Sequence, residues 1–172
     1  MVSSQHIITA LVSDKPGVLN RVASLFRRRG FNIESIAVGA SEFPDVSRMT
    51  IVVDGATTLI EQVRKQLDKV IDVIKISDIT GGSTITRELA LIKVKSSAGT
   101  RSEIMQIVDI FRAKILDVAV DSVTVEVTGD EAKVTSLYNL LKGFGIKEIS
   151  RTGVVGMTRG GTAQAASEEG SQ

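Results

Sequence analysis

The sequence predicts an α+β fold made of two consecutive copies of a βαββαβ unit. Three observations point there. Apolar, β-branched runs alternate with amphipathic helical segments in an order that occurs twice. The stretch Gly81-Gly82-Ser83-Thr84 separates the two occurrences, and matched apolar positions recur at fixed spacings across it. The chain of 172 residues has room for two such small domains.

In the first copy, Ile7–Val12 is a β-branched run that ends at Ser13-Asp14-Lys15-Pro16-Gly17, so it reads as a strand followed by a turn. Val18, Leu19, Val22, Leu25 and Phe26 then fall at helical spacing. Gly30 closes that helix, and Arg27, Arg28 and Arg29 occupy its last turn. Three arginines there complement the negative end of a helix on a wet face. Phe31–Val38 is a second strand, Ser41–Asp45 with Pro44 a loop, and Met49–Val53 a third strand. Thr58 and Glu61 have capping-box spacing ahead of a helix with Leu59, Val63 and Leu67 on one face, and Ile74–Ser77 alternates as a half-buried strand.

The second copy repeats the order. Leu89–Lys95 is a strand, and Thr100 with Glu103 forms another capping box. Ile104, Ile107, Val108 and Phe111 make the helical stripe, and Ile115–Val120 is a short strand. Val123–Thr128 alternates without exception; Val134, Leu137, Tyr138 and Leu141 mark the last helix, and Ile146–Val155 the last strand. At a shift of 85, Val22, Leu25 and Phe26 meet Ile107, Ile110 and Phe111. At a shift of 74, Ile51, Val53, Ile60 and Leu67 meet Val125, Val127, Val134 and Leu141. The difference of 11 is read as a shorter loop between strands two and three of the second copy. The expected organisation is a first domain over 1–79, a linker over 80–86, a second domain over 87–158, and a disordered Ala-, Ser-, Glu- and Gly-rich tail over 159–172.

Composition narrows the chemistry. At 42% hydrophobic but with only five Phe, one Tyr and no Trp, the cores must be aliphatic. Twenty-one basic against 20 acidic residues leave a net charge of +1, so nothing draws the chain to nucleic acid electrostatically. Zero Cys removes disulfides, thiolate metal sites and Cys nucleophiles, and the single His6, read as a strand-start residue, leaves little for acid–base work. No apolar run approaches the ~18 residues of a membrane span, and the N-terminus lacks the pattern of a signal peptide. The expectation is a cytoplasmic protein without catalytic residues, metal or cofactor of its own.

The two copies differ in the turn after their first strand: Asp14-Lys15-Pro16-Gly17 in one, Ser97-Ala98-Gly99-Thr100 in the other. Pro16 near the first helical position forfeits no hydrogen bond. Gly17, without a Cβ, lets a ligand approach the backbone, and a Cβ there would be expected to crowd the turn. The free N–H groups of a helix start suit a carboxylate. Asp14 either caps the helix or faces an ammonium group. Asn32, at the start of strand two, offers both amide donors and an acceptor, for a ligand or for neighbouring backbone. Val18, Leu19 and Ile33 are placed to enclose a small aliphatic side chain. The second copy, without this turn, is expected to bind no effector.

The first stretch resembles the ACT domain, an amino-acid-sensing module with a Pro-Gly turn after strand one. More closely, DKPGVLNRVASLFRRRGFNIESIAVG, SRMTIVV (Ser47–Val53), QLDKVIDVIKI (Gln66–Ile76), RELALIKV (Arg87–Val94) and RTGVVGMTR (Arg151–Arg159) are similar to the small regulatory subunit of acetohydroxyacid synthase, also called acetolactate synthase. The likeness spans residues 6–160 and keeps every motif in order. It implies two ferredoxin-like domains, with antiparallel sheets and helices on one face, in a homodimer joined through the N-terminal sheets. It also implies an effector site for valine or another branched-chain amino acid between two copies. By motif that site comprises Asp14, Lys15, Pro16, Gly17, Val18, Leu19, Asn32 and Ile33. The implied partner is a catalytic subunit carrying thiamine diphosphate, Mg²⁺ and usually FAD, which this chain would activate and make sensitive to feedback in branched-chain amino-acid biosynthesis. The alternative is a free-standing amino-acid sensor controlling another enzyme or transcription. RNA recognition on such a sheet needs aromatic platforms, and Met49–Val53 has none.

Overall fold

A computed structural model describes residues 5–55 and 57–160; the side chains of 57–59 and the expected tail beyond Gly160 lie outside the described part. The chain divides into two compact units. Among the described residues, the first holds 5–34, 38–85 and 156–160, and the second holds 35–37 and 86–155.

In the first unit, β1 (Gln5–Ser13), α1 (Val18–Arg29), β2 (Ile33–Ala40), β3 (Val46–Asp54), α2 (Thr57–Leu67) and β4 (Val73–Asp78) follow in the predicted order. The sheet runs β2-β3-β1-β4, with β1 antiparallel to both neighbours. Side chains alternate across a strand, so Ile8, Ala10 and Val12 share one face with Ile51, Met49 and Ser47 opposite them. Ile8, Ala10, Val12, Met49, Ile51 and Val53 are buried, as are Val18, Val22, Leu25 and Phe26 of α1 and Ile60, Val63 and Leu67 of α2. These residues form an aliphatic core between one sheet face and two helices. His6 is buried at the start of β1, opposite Val53.

The second unit repeats the pattern with β5 (Thr84–Lys95), α3 (Arg101–Ile110), β6 (Lys114–Val118), β7 (Ser122–Gly129), α4 (Glu131–Lys142) and β8 (Ile146–Arg151), in sheet order β6-β7-β5-β8. Its core joins Ala90, Ile92 and Val94 to Val123, Val125 and Val127 under Ile104, Val108, Val134, Leu137 and Leu141. In the same unit, the carboxylate of Glu88 is buried and paired with Arg151.

Several expectations are corrected. The last strand is two: β8 stops at Arg151, Gly153 takes a positive φ of 84°, and β9 (Val155–Thr158) pairs with β5. Residues 84–86 of the expected linker are the start of β5. The second capping box does not form: Thr100 is the N-cap without a side-chain cap bond, and its hydroxyl accepts from the Ser97 N–H at 3.0 Å instead. Thr58 lies inside α2, which starts at Thr57. The shift of 85 between the first helices also fails, because Leu25 is buried whereas Ile110 is 78% exposed.

Register supplies the true equivalence. In β1 an irregularity separates Leu11, paired to Lys75, from Val12, paired to Val73. In β5 the same irregularity separates Lys93, paired to Glu148, from Val94, paired to Ile146. Val12 therefore matches Val94, a shift of 82, which also aligns buried Val22 and Phe26 with Ile104 and Val108. Ser13 opposes Val46, and Lys95 opposes Ser122, so the third strands match at 76 rather than 74. The shortening in the second copy is spread over β6, which has 5 residues against 8 in β2, and over the turn after it.

Candidate effector site

The turn between β1 and α1 is built by backbone bonds. The Asp14 N–H donates to Asp45 O at 2.8 Å, the Lys15 N–H to Ser13 O at 2.9 Å, and the Ser13 N–H to Asp72 O at 2.8 Å. Gly17 is the N-cap of α1, in the left-handed region at φ 88°, and Pro16 lies one residue before it, outside the helix. No side chain caps α1, so the capping role considered for Asp14 is not realised. Gly17 O accepts from the Arg21 N–H at 3.0 Å, which begins the helical ladder. The N–H groups of Leu19 and Asn20, in the first turn, are left without intrahelical acceptors. An ideal Cβ on Gly17 would meet nothing within 4 Å. The expected crowding is therefore absent; glycine is required by the positive φ.

Asp14, Lys15, Pro16 and Gly17 are exposed, Val18 is buried in the core, and Leu19 is half exposed. Asn32 is exposed, directly ahead of β2, and makes no hydrogen bond to another described residue; Ile33 is partly buried. The amide is thus not consumed by neighbouring backbone, and it is available to a ligand.

One chain does not bring the two halves of the set together. α1 has 12 residues, a length of about 18 Å. Gly17 caps its N-terminus, whereas Asn32 lies beyond its C-cap, Gly30. Sheet direction says the same. β3 is antiparallel to β1, and β2 joins β3 through a short hairpin, so β2 runs with β1 and begins at the end of the sheet where β1 begins. Gln5 Nε2 donates to Glu34 Oε2 at 2.7 Å, holding those two strand starts together. The turn sits at the opposite end.

Sequence reasoning missed Asp45 and Asp72, whose carbonyls fix the turn, and Arg21, whose guanidinium pairs with the Asp72 carboxylate. These partners lie far apart in the chain and share no local motif. In the second unit a side chain at the corresponding helix start ties it to the loop after β6. Arg101 donates through Nη2 to Ala119 O and Val120 O, each at 2.9 Å, and through Nε to Ser96 Oγ at 3.3 Å. Among the described residues, no group of three or more His, Asp or Glu is placed to hold a metal ion, and no helix is long and apolar enough to cross a membrane.

Two ferredoxin-like units, the first with an open helix-start turn and, at its second strand, an amide that bonds no other described residue, define a chain built on an ACT-type domain. Residues 8–75 match the AHAS small subunit-like ACT domain, and residues 87–160 match the family described as small subunit of acetolactate synthase. A probable acetolactate synthase small subunit of Methanothermobacter thermautotrophicus is 54% identical over 161 residues, covering 93% of this chain and 96% of the relative. The acetolactate synthase small subunit of Mycobacterium leprae is 54% identical over 90% of this chain and 92% of its own. The crystal structure of the small subunit from Thermotoga maritima superposes with a TM-score of 0.84 at 45% identity, covering 91% of this chain and 98% of that one. The chain belongs to the acetolactate synthase small-subunit family.

Proposed function

We propose that this chain is the regulatory subunit that activates a thiamine-diphosphate-, Mg²⁺- and FAD-carrying catalytic subunit in the cytoplasm. It would also confer feedback inhibition by valine or another branched-chain amino acid. The observation that supports this most is the separation of the helix-start turn from Asn32 by the length of α1. Residues of one ligand set, at opposite ends of one unit, make sense when two copies meet. β2 is the edge of the first sheet. Antiparallel pairing of β2 with β2 of a second copy sets the start of one strand beside the end of the other. Asn32 and Ile33 of one chain then come to the end that bears Asp14, Lys15, Pro16 and Gly17 of the other.

In that arrangement the orphan N–H groups of α1 receive the ligand carboxylate, and Asp14 offers an anion to its ammonium group. Asn32 supplies a donor and an acceptor from across the dimer, while Leu19 and Ile33 enclose the branched side chain. Reciprocity follows: catalytic-subunit binding must change effector affinity by the factor by which effector changes subunit affinity, commonly worth ~1–3 kcal/mol. The test is acetolactate formation by the catalytic subunit from the same source, with and without this chain, across a valine titration. Activation together with new valine sensitivity is expected. A folded chain that changes neither rate nor sensitivity refutes the proposal.

A further inference from the structure

We propose that Ile71 and Ile74, at the edge of the first sheet away from β2, form the surface that engages the catalytic subunit. The proposal rests on the regulatory reading above. Ile71 is 90% exposed, in the turn between α2 and β4, and Ile74 is 58% exposed on β4 itself. Val12 pairs with Val73 and Leu11 with Lys75, so Ile74 is the extra residue of a bulge and is turned out of the ladder.

A bulge of this kind is an ordinary way to protect an edge strand. The duplicated unit shows what the fold itself asks of the position. In β8 the corresponding bulge residue, between Ile146 and Glu148, is Lys147, ion-paired with Asp121. The residue matching Ile71 is Phe144, which packs against the core of the second unit. The same architecture is therefore satisfied by a cation at the bulge and an inward aromatic before it. Two exposed isoleucines in the first unit are not a requirement of folding.

Their placement identifies what covers them. Between them lies Asp72, 8% exposed, whose carbonyl accepts from the Ser13 N–H and whose carboxylate pairs with Arg21 of α1. Ser13 precedes Asp14, so the effector turn, the helix it opens and the apolar pair meet at one residue. A small-subunit chain needs a surface for its large subunit, and β2 at the opposite edge is the strand proposed above to meet the second copy. Lys69 and Lys75 flank the isoleucines and are exposed, with Asp68 exposed beside Lys69, so the complementary patch is apolar with a rim of both charges in which carboxylates face the two lysines.

The test titrates the full chain against a fixed amount of purified catalytic subunit. Ile74→Lys copies what Lys147 already does, and Ile71→Asp adds a charge at a 90% exposed position, so both fold. Each is expected to raise the concentration for half-maximal activation by about tenfold or more, the signature of a buried apolar anchor. Valine binding to the chain alone, by calorimetry, is expected to stay within about twofold. Val120→Lys alters an equally exposed apolar residue of the second unit, and it should leave activation unchanged. Wild-type activation matched by both isoleucine variants overturns the contact alone, as does an equal loss in Val120→Lys. A wild-type chain that fails to activate overturns the regulatory reading with it.

Discussion

Replacing Gly17 by Asp separates backbone strain from ligand electrostatics. Gly17 sits at φ 88°, where an L-residue costs ~1–2 kcal/mol, somewhat less for Asp. Nothing lies within 4 Å of the Cβ it would gain, so no collision adds to that cost and the fold survives. For a chain of this size, ~1 kcal/mol lowers Tm by about 2–4 °C. The new carboxylate stands at the helix start that is proposed to receive the effector's own carboxylate. Like charges ~5 Å apart at an effective dielectric of about 20 repel by roughly 3 kcal/mol. Exposure of the turn cuts that to ~1–2 kcal/mol, roughly a five- to thirtyfold loss of valine affinity. Gly17→Ala carries at least as much backbone strain without charge and is the internal control. Calorimetry with valine, a valine titration of acetolactate formation and thermal melts read all three quantities. Equal valine affinity in wild type and Gly17→Asp, or equal losses in Gly17→Asp and Gly17→Ala, would refute the electrostatic placement of the ligand.

Asn32→Ala should weaken valine binding by ~1 kcal/mol or more and leave Tm unchanged, because the amide is exposed and bonds no other described residue; unchanged calorimetric affinity contradicts the contact. Arg151→Ala strands the buried Glu88 carboxylate and should cost about 3 kcal/mol in urea unfolding, at the low end for buried pairs because Arg151 is 38% exposed. The hydrogen bond and charge of Lys147 hold the Asp121 carboxyl below its ordinary 3.8. That pair stabilises the fold above the ordinary value, and the contribution is lost as pH falls through the depressed one. Lys147→Met should therefore flatten the acid limb of Tm against pH, and an unaltered limb would deny the linkage. The chain carrying both Gly17→Asp and Asn32→Ala should bind valine at least about thirtyfold more weakly than wild type if the two losses add. Saturable binding that keeps wild-type affinity would place a site outside the first turn.

The duplicated βαββαβ order was legible because apolar period, Gly and Pro punctuation and β-branched runs all agreed. What the sequence misread, it misread for identifiable reasons. The third strands match at a shift of 76, yet 74 looked equally good. A two-residue slip leaves every side chain on its original face, so hydrophobic alternation cannot detect it. The helix shift failed at Ile110 because apolar type alone does not distinguish a core residue from a surface one; Ile110 is exposed although it keeps the stripe's chemistry. The Thr100 capping box had the right spacing, but its hydroxyl found the nearer Ser97 N–H. At the site, the positive φ of Gly17 was foreshadowed by its residue type. The supports at Asp45 and Asp72 were not, because they act through carbonyl oxygens that any residue carries.

The length of α1 has a consequence for concentration. A ligand that must touch both Gly17 and Asn32 meets only half of its contacts on an isolated chain, with about 18 Å of helix between them. Its apparent affinity then becomes a property of how much chain is present. Dilution below the dimer dissociation constant should weaken valine binding, and valine should in turn drive association by mass action. Feedback strength would track the abundance of the small chain, so a cell that makes more of it becomes sensitive to less end product.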